Sequence, residues 1–267
     1  DNHALIAAQK HAYAKKIPLA VVFCLMPRSG FRTREHYQFM LDGLKGIEAS
    51  LGRLHIPFML LVGDPQERVS GLLHHVQPDA VYFDFNPLRG PLQLHKVVAT
   101  NAQCPVYEVD THNIVPVWVS SDKQEVGART LRPKVHRLLP EYLREPESLQ
   151  PHPYAWHGPV LALSHEAIRT RVQDVLNALS SNGQSLSYIS GEVAAHEALR
   201  SFIDERIATY ADDRNDPSKN GLSGLSPYLH FGHVSSLRVA LEVEARLRAA
   251  LVARDDARLL PRPQRER

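Results

Sequence analysis

Four short apolar runs, separated by segments of helix length, restrict this chain more than any other feature. Leu19-Ala-Val-Val-Phe-Cys-Leu25 is apolar at every position, the pattern of a strand buried on both faces. From Thr33 to Leu54, residues Tyr37, Met40, Leu41, Leu44, Ile47, Leu51 and Leu54 recur at helical spacing and define one apolar face. Pro57 to Val62 is the next strand, and Gly63-Asp64-Pro65 opens a helix in cap-then-proline order that runs to about Gln77. Ala80–Phe83 and Val106–Val109 are further strands, with a helix between Leu92 and Ala102. Strands alternating with helices predict an α/β fold: a Rossmann-like parallel sheet with right-handed crossovers and helices on both faces.

Beyond Trp118 the pattern changes. Residues 119–160 mix charge with Pro133, Pro140, Pro146, Pro151, Pro153 and Pro159, which reads as a surface-packed connector with a short helix near Lys134 to Leu143. Ser164-His165-Glu166 resembles a cap, followed by an amphipathic stretch to about Leu179. A second helix is expected from Gly191 to Tyr210, burying Ala194, Ala198, Leu199, Phe202, Ile203 and Ile207. A third begins at Ser226 or Pro227 and continues through Val239 to Ala250. The expected organisation is an α/β domain over 1–118, a connector over 119–160, helices over 161–250, and a disordered basic tail over 251–267.

Composition narrows the classes of function rather than selecting one. A chain of 267 residues can bury one large core or two smaller ones. The net charge of +2 by itself points to no polyanionic partner, although 15 histidines leave room for a local basic face. Two cysteines, Cys24 and Cys104, supply neither a disulfide framework nor a zinc site. Apolar runs fall short of a membrane span, so an intracellular, cytoplasmic monomer is the default expectation.

The stretch with the most chemistry is Leu222-Ser-Gly-Leu-Ser-Pro-Tyr-Leu-His-Phe-Gly232, with Tyr210 twelve residues ahead of it. Ser226 stands where an N-cap belongs and Pro227 fits the first helical turn. A helix start exposes unpaired N–H groups and the positive end of the dipole, which together can hold phosphate. Taken alone, Ser-x-x-Ser-Pro is a capping signal and no more.

The run Tyr210-Ala-Asp-Asp-Arg-Asn-Asp-Pro217, followed by Leu222–Gly232, resembles the flavin-binding segment of DNA photolyases, most of all the class II branch. Asp84-Phe-Asn-Pro-Leu-Arg89, Val109-Asp-Thr-His-Asn-Ile-Val-Pro-Val-Trp118 and Gly127-Ala-Arg-Thr-Leu-Arg-Pro-Lys134 resemble the same branch, in order. The resemblance runs from residue 1 to about residue 245. It implies that the helices after the connector begin an all-α FAD-binding domain, and that Ser223 and Ser226 contact the FAD diphosphate. Leu222, Gly224 and Leu225 would give backbone contacts and spacing, and Tyr210 would turn its hydroxyl toward phosphate. A helix cap and a core tyrosine remain the alternatives for these residues.

The activity so implied is light-dependent repair of cyclobutane pyrimidine dimers in damaged DNA. A flipped dimer would receive an electron from reduced FAD, and an antenna chromophore of unspecified identity could sit in the α/β domain. A cryptochrome-like blue-light receptor and an α/β nucleotide-binding module without light chemistry are the competing readings. Asp84–Arg89 lies at the carboxyl edge of the sheet, where α/β domains bind ligands, but it also reads as a plain strand-to-helix turn. Arg129, Arg132, Lys134 and Arg137 could touch phosphate or form a solvated or domain-bridging face. Arg214, Asn215 and Asp216 are turn chemistry as readily as ligand contacts. His230 and His233, three apart on an expected helix, lack the partners of a metal site, and His55, His74 and His75 carry no stronger signal.

The ends depart from the family pattern. Asp1-Asn-His-Ala-Leu5 reads as a helix start, where the resemblance would place a central strand before it. A fragment is therefore expected, with two neighbouring strands left with unpaired ladder groups. The DNA-facing helices and a tryptophan relay would lie downstream, and Trp118 and Trp156 are no candidates for it.

Overall fold

The computed structural model describes residues 1–27, 32–181, 183 and 186–259. Four parallel strands alternate with helices in its first half: α1 (His3–Lys15), β1 (Val21–Leu25), α2 (Arg34–Arg53), β2 (Phe58–Val62), α3 (Pro65–Val76), β3 (Val81–Asp84), α4 (Arg89–Asn101) and β4 (Val106–Val109). The α/β expectation holds. Caps explain two of the helix starts. Asn2 Oδ1 accepts the Leu5 N–H at 2.7 Å, and Asp64 accepts those of Gln66 and Glu67.

The strands pair as two parallel couples. β1 lies beside β2 from Val21↔Phe58 to Leu25↔Val62, and β3 beside β4 from Val81↔Val106 to Asp84↔Val109. Each of the four strands thus has one strand partner among the described residues. Two-stranded sheets are marginal alone. α2 and α7 (Glu166–Asn177) cover the first couple, while α1 contacts both strands of the second.

Two apolar clusters divide the chain. The first joins Leu25, Ile56 and Leu60 to Tyr37, Leu41 and Leu44 of α2 and to Ile168, Val175 and Leu176 of α7. The second is helical. It unites Ala195, Leu199, Phe202 and Ile203 of α8 (Glu192–Glu205) with Leu225, Tyr228 and Val234. Phe39 belongs to this second cluster, so α2 presents side chains to both.

Several boundaries differ from expectation. The helix expected from Gly191 to Tyr210 stops at Glu205, because the Phe202 carbonyl accepts both the Arg206 and Ile207 N–H groups. Tyr210 then opens a separate short helix, α9 (Tyr210–Asp213). The helix expected from Ser226 to Ala250 is broken into α10 (Ser226–His230) and α11 (Ser236–Leu259). Gly232, at φ +70°, closes α10: its N–H reaches the Leu229 carbonyl, and the His233 N–H returns to Tyr228 at 2.8 Å. That is a Schellman stop, which needs a left-handed residue. α11 also carries the chain as helix through 251–259, contrary to the expected disordered tail; residues 260–267 lie outside the described residues.

The connector is more ordered than its prolines suggest. After the short α5 (Val117–Ser120), α6 spans Ala128–Tyr142 rather than starting near Lys134, with Pro133 and Pro140 inside it. The carbonyls these prolines leave without an N–H partner belong to Arg129 and His136, both exposed, so water can satisfy them. Residues 147–163 then run along the α/β unit instead of over its surface alone. His152 is 2% exposed, with its N–H on the Leu54 carbonyl and its Nε2 at 2.9 Å from the Ile17 carbonyl. Leu60 in turn donates its N–H to the Leu161 carbonyl. Cys24 and Cys104 are both free and half-buried, and burial pushes the Cys24 thiol up to about 11.

Candidate functional site

The loop 222–226 rises from the second cluster with its ends anchored and its middle open. Leu225 is buried at 2% exposure, and Tyr228 donates its hydroxyl to the Ile189 carbonyl at 3.0 Å. On the other side, Gly221 packs so tightly that a Cβ there would sit 2.7 Å from the Asp213 backbone. Between these anchors, Gly224 adopts φ +72° and a Cβ on it would meet nothing within 4 Å. Leu222 and Ser226 are exposed, and Ser223 is half-buried.

One expectation needs correction. Ser226 is not the N-cap of α10; Leu225 occupies that position, with Ser226 and Pro227 as the first helical residues and no side-chain cap bond. The Ser223 Oγ instead accepts the Leu225 N–H at 3.3 Å, which leaves its own proton free to donate outward. The backbone N–H groups of Ser223, Gly224 and Ser226 donate to no protein acceptor among the described residues. A left-handed Gly224 followed by a right-handed Leu225 (φ −84°, ψ −11°) is the backbone of an anion-binding nest. Free hydroxyl and amide donors, a turn without a blocking side chain and an open approach suit a diphosphate, so the residues present fit that group.

Tyr210 belongs to the same cluster. Its ring meets Phe202 edge-on at 5.2 Å, and the Arg214 guanidinium lies 5.7 Å over it. Asp216 accepts both the N–H and the Oγ–H of Ser218, which is turn chemistry. Asp213 pairs with Lys219, and that hydrogen bond holds its carboxyl below the usual range.

His233 is the functional-looking residue whose role the sequence hides. It falls in the break between α10 and α11, 6% exposed, stacked on Phe39 at 4.8 Å. Its Nδ1 accepts the Gly191 N–H at 3.2 Å, so the ring is neutral there, and burial lowers its pKa. It is a core joint, not a ligand. Asp110 was also missed: buried, it accepts N–H groups from His112, Asn113 and Val117, plus the Asn113 amide. The signal was available, since an Asp directly after a strand commonly accepts the N–H two residues on in an Asx turn, as Asp110 does from His112.

The segment Asp84–Arg89 is a strand-to-helix turn. Asn86 Oδ1 accepts the Leu88 N–H at 3.0 Å, and Asn2 reaches Asp84 from α1. A cavity of about 380 Å³ lies elsewhere, against the far edge of β2 between Leu60, Leu72, Leu161 and Ile168.

α11 fastens the helical cluster to the rest. Arg238 holds Asp1 at 2.9 Å and Glu145 at 2.7 Å, and Ser236 donates to the His112 carbonyl. The order of the elements, their parallel pairing and this bridging across the connector can be set beside known proteins. Residues 1–154 match the family profile described as DNA photolyase, more than half of the chain. The chain belongs to the DNA photolyase family.

Within that family its likeness is class II-like. It is 39% identical over 247 residues to the deoxyribodipyrimidine photo-lyase of Potorous tridactylus, covering 91% of this chain and 46% of that one. The Arabidopsis thaliana deoxyribodipyrimidine photo-lyase is 37% identical, with 91% and 50% covered. The chain therefore spans about half the length of the curated photolyases it matches. A solved Synechocystis cryptochrome superposes with a TM-score of 0.68 at 14% identity, over 90% of this chain and 52% of the other. An archaeal photolyase from Sulfolobus tokodaii, described as carrying two FAD molecules, gives 0.61 at 17% identity over 87% and 50%. Likeness at such identities speaks for the fold alone. Among the described residues no helix is long and apolar enough to cross a membrane.

Proposed function

We propose that this chain forms the α/β domain, the connector and the opening helices of the FAD-binding domain of an enzyme that repairs cyclobutane pyrimidine dimers in DNA by light-driven electron transfer. In domain terms, residues 1–118 are the α/β part, 119–160 the connector and 161–250 the start of the flavin-binding part. The observation that carries the cofactor assignment is the open nest at 223–226, where unused N–H donors and two hydroxyls stand at a turn with no blocking side chain.

In this reading the Ser223 Oγ–H and the Ser223, Gly224 and Ser226 N–H groups bind the diphosphate of FAD. Leu222 covers it from the exposed side, and Leu225 anchors the loop from beneath. Tyr210, held by Phe202 and Arg214, packs against the cluster that contains Leu225. FAD supplies the redox chemistry when bound; these residues orient it and satisfy its charge.

Flavin titration followed by absorbance and fluorescence quenching tests the assignment. Replacing both Ser223 and Ser226 by alanine should weaken FAD binding by about 1–3 kcal/mol, the range for lost hydrogen bonds to charged oxygens. Unchanged affinity in that double variant would remove these hydroxyls from the site.

A further inference from the structure

The outer edge of β2 is only partly used by the fold. Hydrogen bonds along a strand alternate between its two sides. Pro57 and Gly63 turn toward β1, where they meet the Val21 N–H and the Leu25 carbonyl. Leu60 and Val62 turn the other way. The Leu60 N–H reaches the Leu161 carbonyl at 2.8 Å, and the Val62 carbonyl accepts from Arg171 Nη2. Pairing with the connector goes no further, because the Leu163 N–H leaves for Glu48 Oε1 at 2.8 Å. The Val62 N–H is thereby left without a protein acceptor among the described residues, in a residue only 4% exposed. A buried amide of this kind needs an oxygen from elsewhere.

Val62 lines the cavity of about 380 Å³ that lies between α3, α7 and the connector. The body of that cavity is aliphatic. Leu60, Leu72, Leu161 and Ile168 wall it, and among the described residues no Phe, Tyr or Trp does, so a flat ring system would find no stacking face. Its polar end is cationic. Arg171 spends one of five guanidinium N–H donors on the Val62 carbonyl, and no carboxylate pairs with it among the described residues. At the exposed rim Glu67 lies 3.7 Å from Arg68 and offsets it, while His75 completes the lining. With His75 neutral the site carries one net positive charge, which suits a monoanion better than a dianion.

We propose that this cavity is a binding site for a medium-chain aliphatic carboxylate. The carboxylate accepts from the Val62 N–H and from the remaining donors of Arg171, and the chain lies among Leu60, Leu72, Leu161 and Ile168. Arginine suits this head group because its planar fork matches two carboxylate oxygens. At about 30 Å³ per heavy atom the space takes roughly a dozen, the size of octanoate or decanoate. The site stands beside the carboxyl end of β2, where α/β sheets bind ligands. It shares no residue with loop 222–226 or with Asp84–Arg89, and it does not depend on flavin.

Isothermal titration calorimetry of the whole chain with octanoate tests the site. Octanoate should bind with one-to-one stoichiometry. Octyltrimethylammonium, which keeps the chain without the anion, and acetate, which keeps the anion without the chain, should each bind about tenfold more weakly or worse. Arg171→Gln should weaken octanoate by about tenfold or more, the loss expected for a charged hydrogen-bond partner, and Arg171→Lys should fall between. Because Arg171 also holds the Val62 carbonyl, a second variant approaches from the opposite wall: Leu72→Trp fills the space without altering charge, and should weaken octanoate to a similar degree. Urea midpoints read by circular dichroism confirm that each variant folds. FAD added as a competitor should leave octanoate binding unchanged, which separates this site from the flavin assignment. No saturable octanoate binding, equal binding of octyltrimethylammonium, tighter binding of octyl phosphate, unchanged affinity in either folded variant, or displacement by FAD would each overturn the proposal.

Discussion

The joint at Gly43 and His233 makes a prediction whose sign is set by geometry. Gly43 lies in the middle of α2, where an exposed glycine-to-alanine change should stabilise by about 0.8–1 kcal/mol through helix propensity. Here an added Cβ would sit 2.3 Å from His233 Nε2, 2.9 Å from Cε1 and 3.0 Å from Cδ2. The imidazole cannot simply retreat. Phe39 stacks against it at 4.8 Å, and the Gly191 N–H holds Nδ1 at 3.2 Å. Forcing a methyl into such a site costs roughly 1–3 kcal/mol. Set against the propensity gain, the expected net effect of Gly43→Ala is a loss of about 0–2 kcal/mol.

Gly46, one turn further along α2, is exposed with nothing within 4 Å of its would-be Cβ. Gly46→Ala should therefore gain the full propensity term. Urea unfolding monitored by far-ultraviolet circular dichroism reads both midpoints under the same conditions. A double-mutant cycle with His233→Ala isolates the clash: in that background Gly43→Ala should lose its penalty and behave like Gly46→Ala. If Gly43→Ala raises the midpoint as much as Gly46→Ala with His233 present, the reasoning about the joint is wrong.

Three more outcomes follow from single sites. Because burial lowers the His233 pKa below its unfolded value of 6.5, the unfolded chain takes up the proton first. Its contribution is complete above about pH 6.5 and is lost as pH falls through the folded value, so His233→Phe should flatten stability over that window, read as urea midpoints from pH 7.5 to 5. Glu125 is likewise depressed, from 4.5 to about 2, by Lys134, Thr130 and Ser121. What it adds is present above about pH 4.5 and disappears as pH falls toward 2; Glu125→Gln should abolish that acid-side dependence, and an unchanged profile would refute the pairing. Asp110→Ala should cost about 2–4 kcal/mol in thermal or urea unfolding, since it strands N–H donors from His112, Asn113 and Val117 in a partly buried turn.

Much of this architecture is legible in the sequence because its signals are local. The fully apolar run ending at Leu25, the seven-residue stripe of α2 and the Asp64-Pro65 cap each report one element without outside help. The helix stops were less legible. Gly232 ends α10 by a left-handed turn, but a glycine inside an apolar pattern reads equally well as a tolerated interior residue. Pro133 and Pro140 misled in the opposite direction, since a helix tolerates them when their orphaned carbonyls face water. Of the loop 222–226, the sequence named the residues but assigned Ser226 the capping role that position 225 fills with an apolar anchor. His233 reads in the sequence as a surface or core histidine, but its place in the joint could not be read, because it depends on Gly43, almost two hundred residues away, and on the backbone of Gly191.

That distance explains how the two clusters are made to fit. Among the described residues α2 alone gives buried side chains to both of them, with Tyr37, Leu41 and Leu44 in one and Phe39 in the other. Its helical period sends Phe39 and Gly43, four residues apart, to the same face, where the absent side chain of Gly43 receives the His233 ring. The Schellman turn at Gly232 then fixes where His233 sits relative to α10, and α10 begins at the loop bearing Ser223 and Gly224. The open nest is therefore positioned by a continuous chain of packed contacts running back to the α/β core. Loosening the joint at Gly43 should disturb the loop, and flavin affinity of Gly43→Ala, compared with Gly46→Ala, is the measurement in which that coupling would appear.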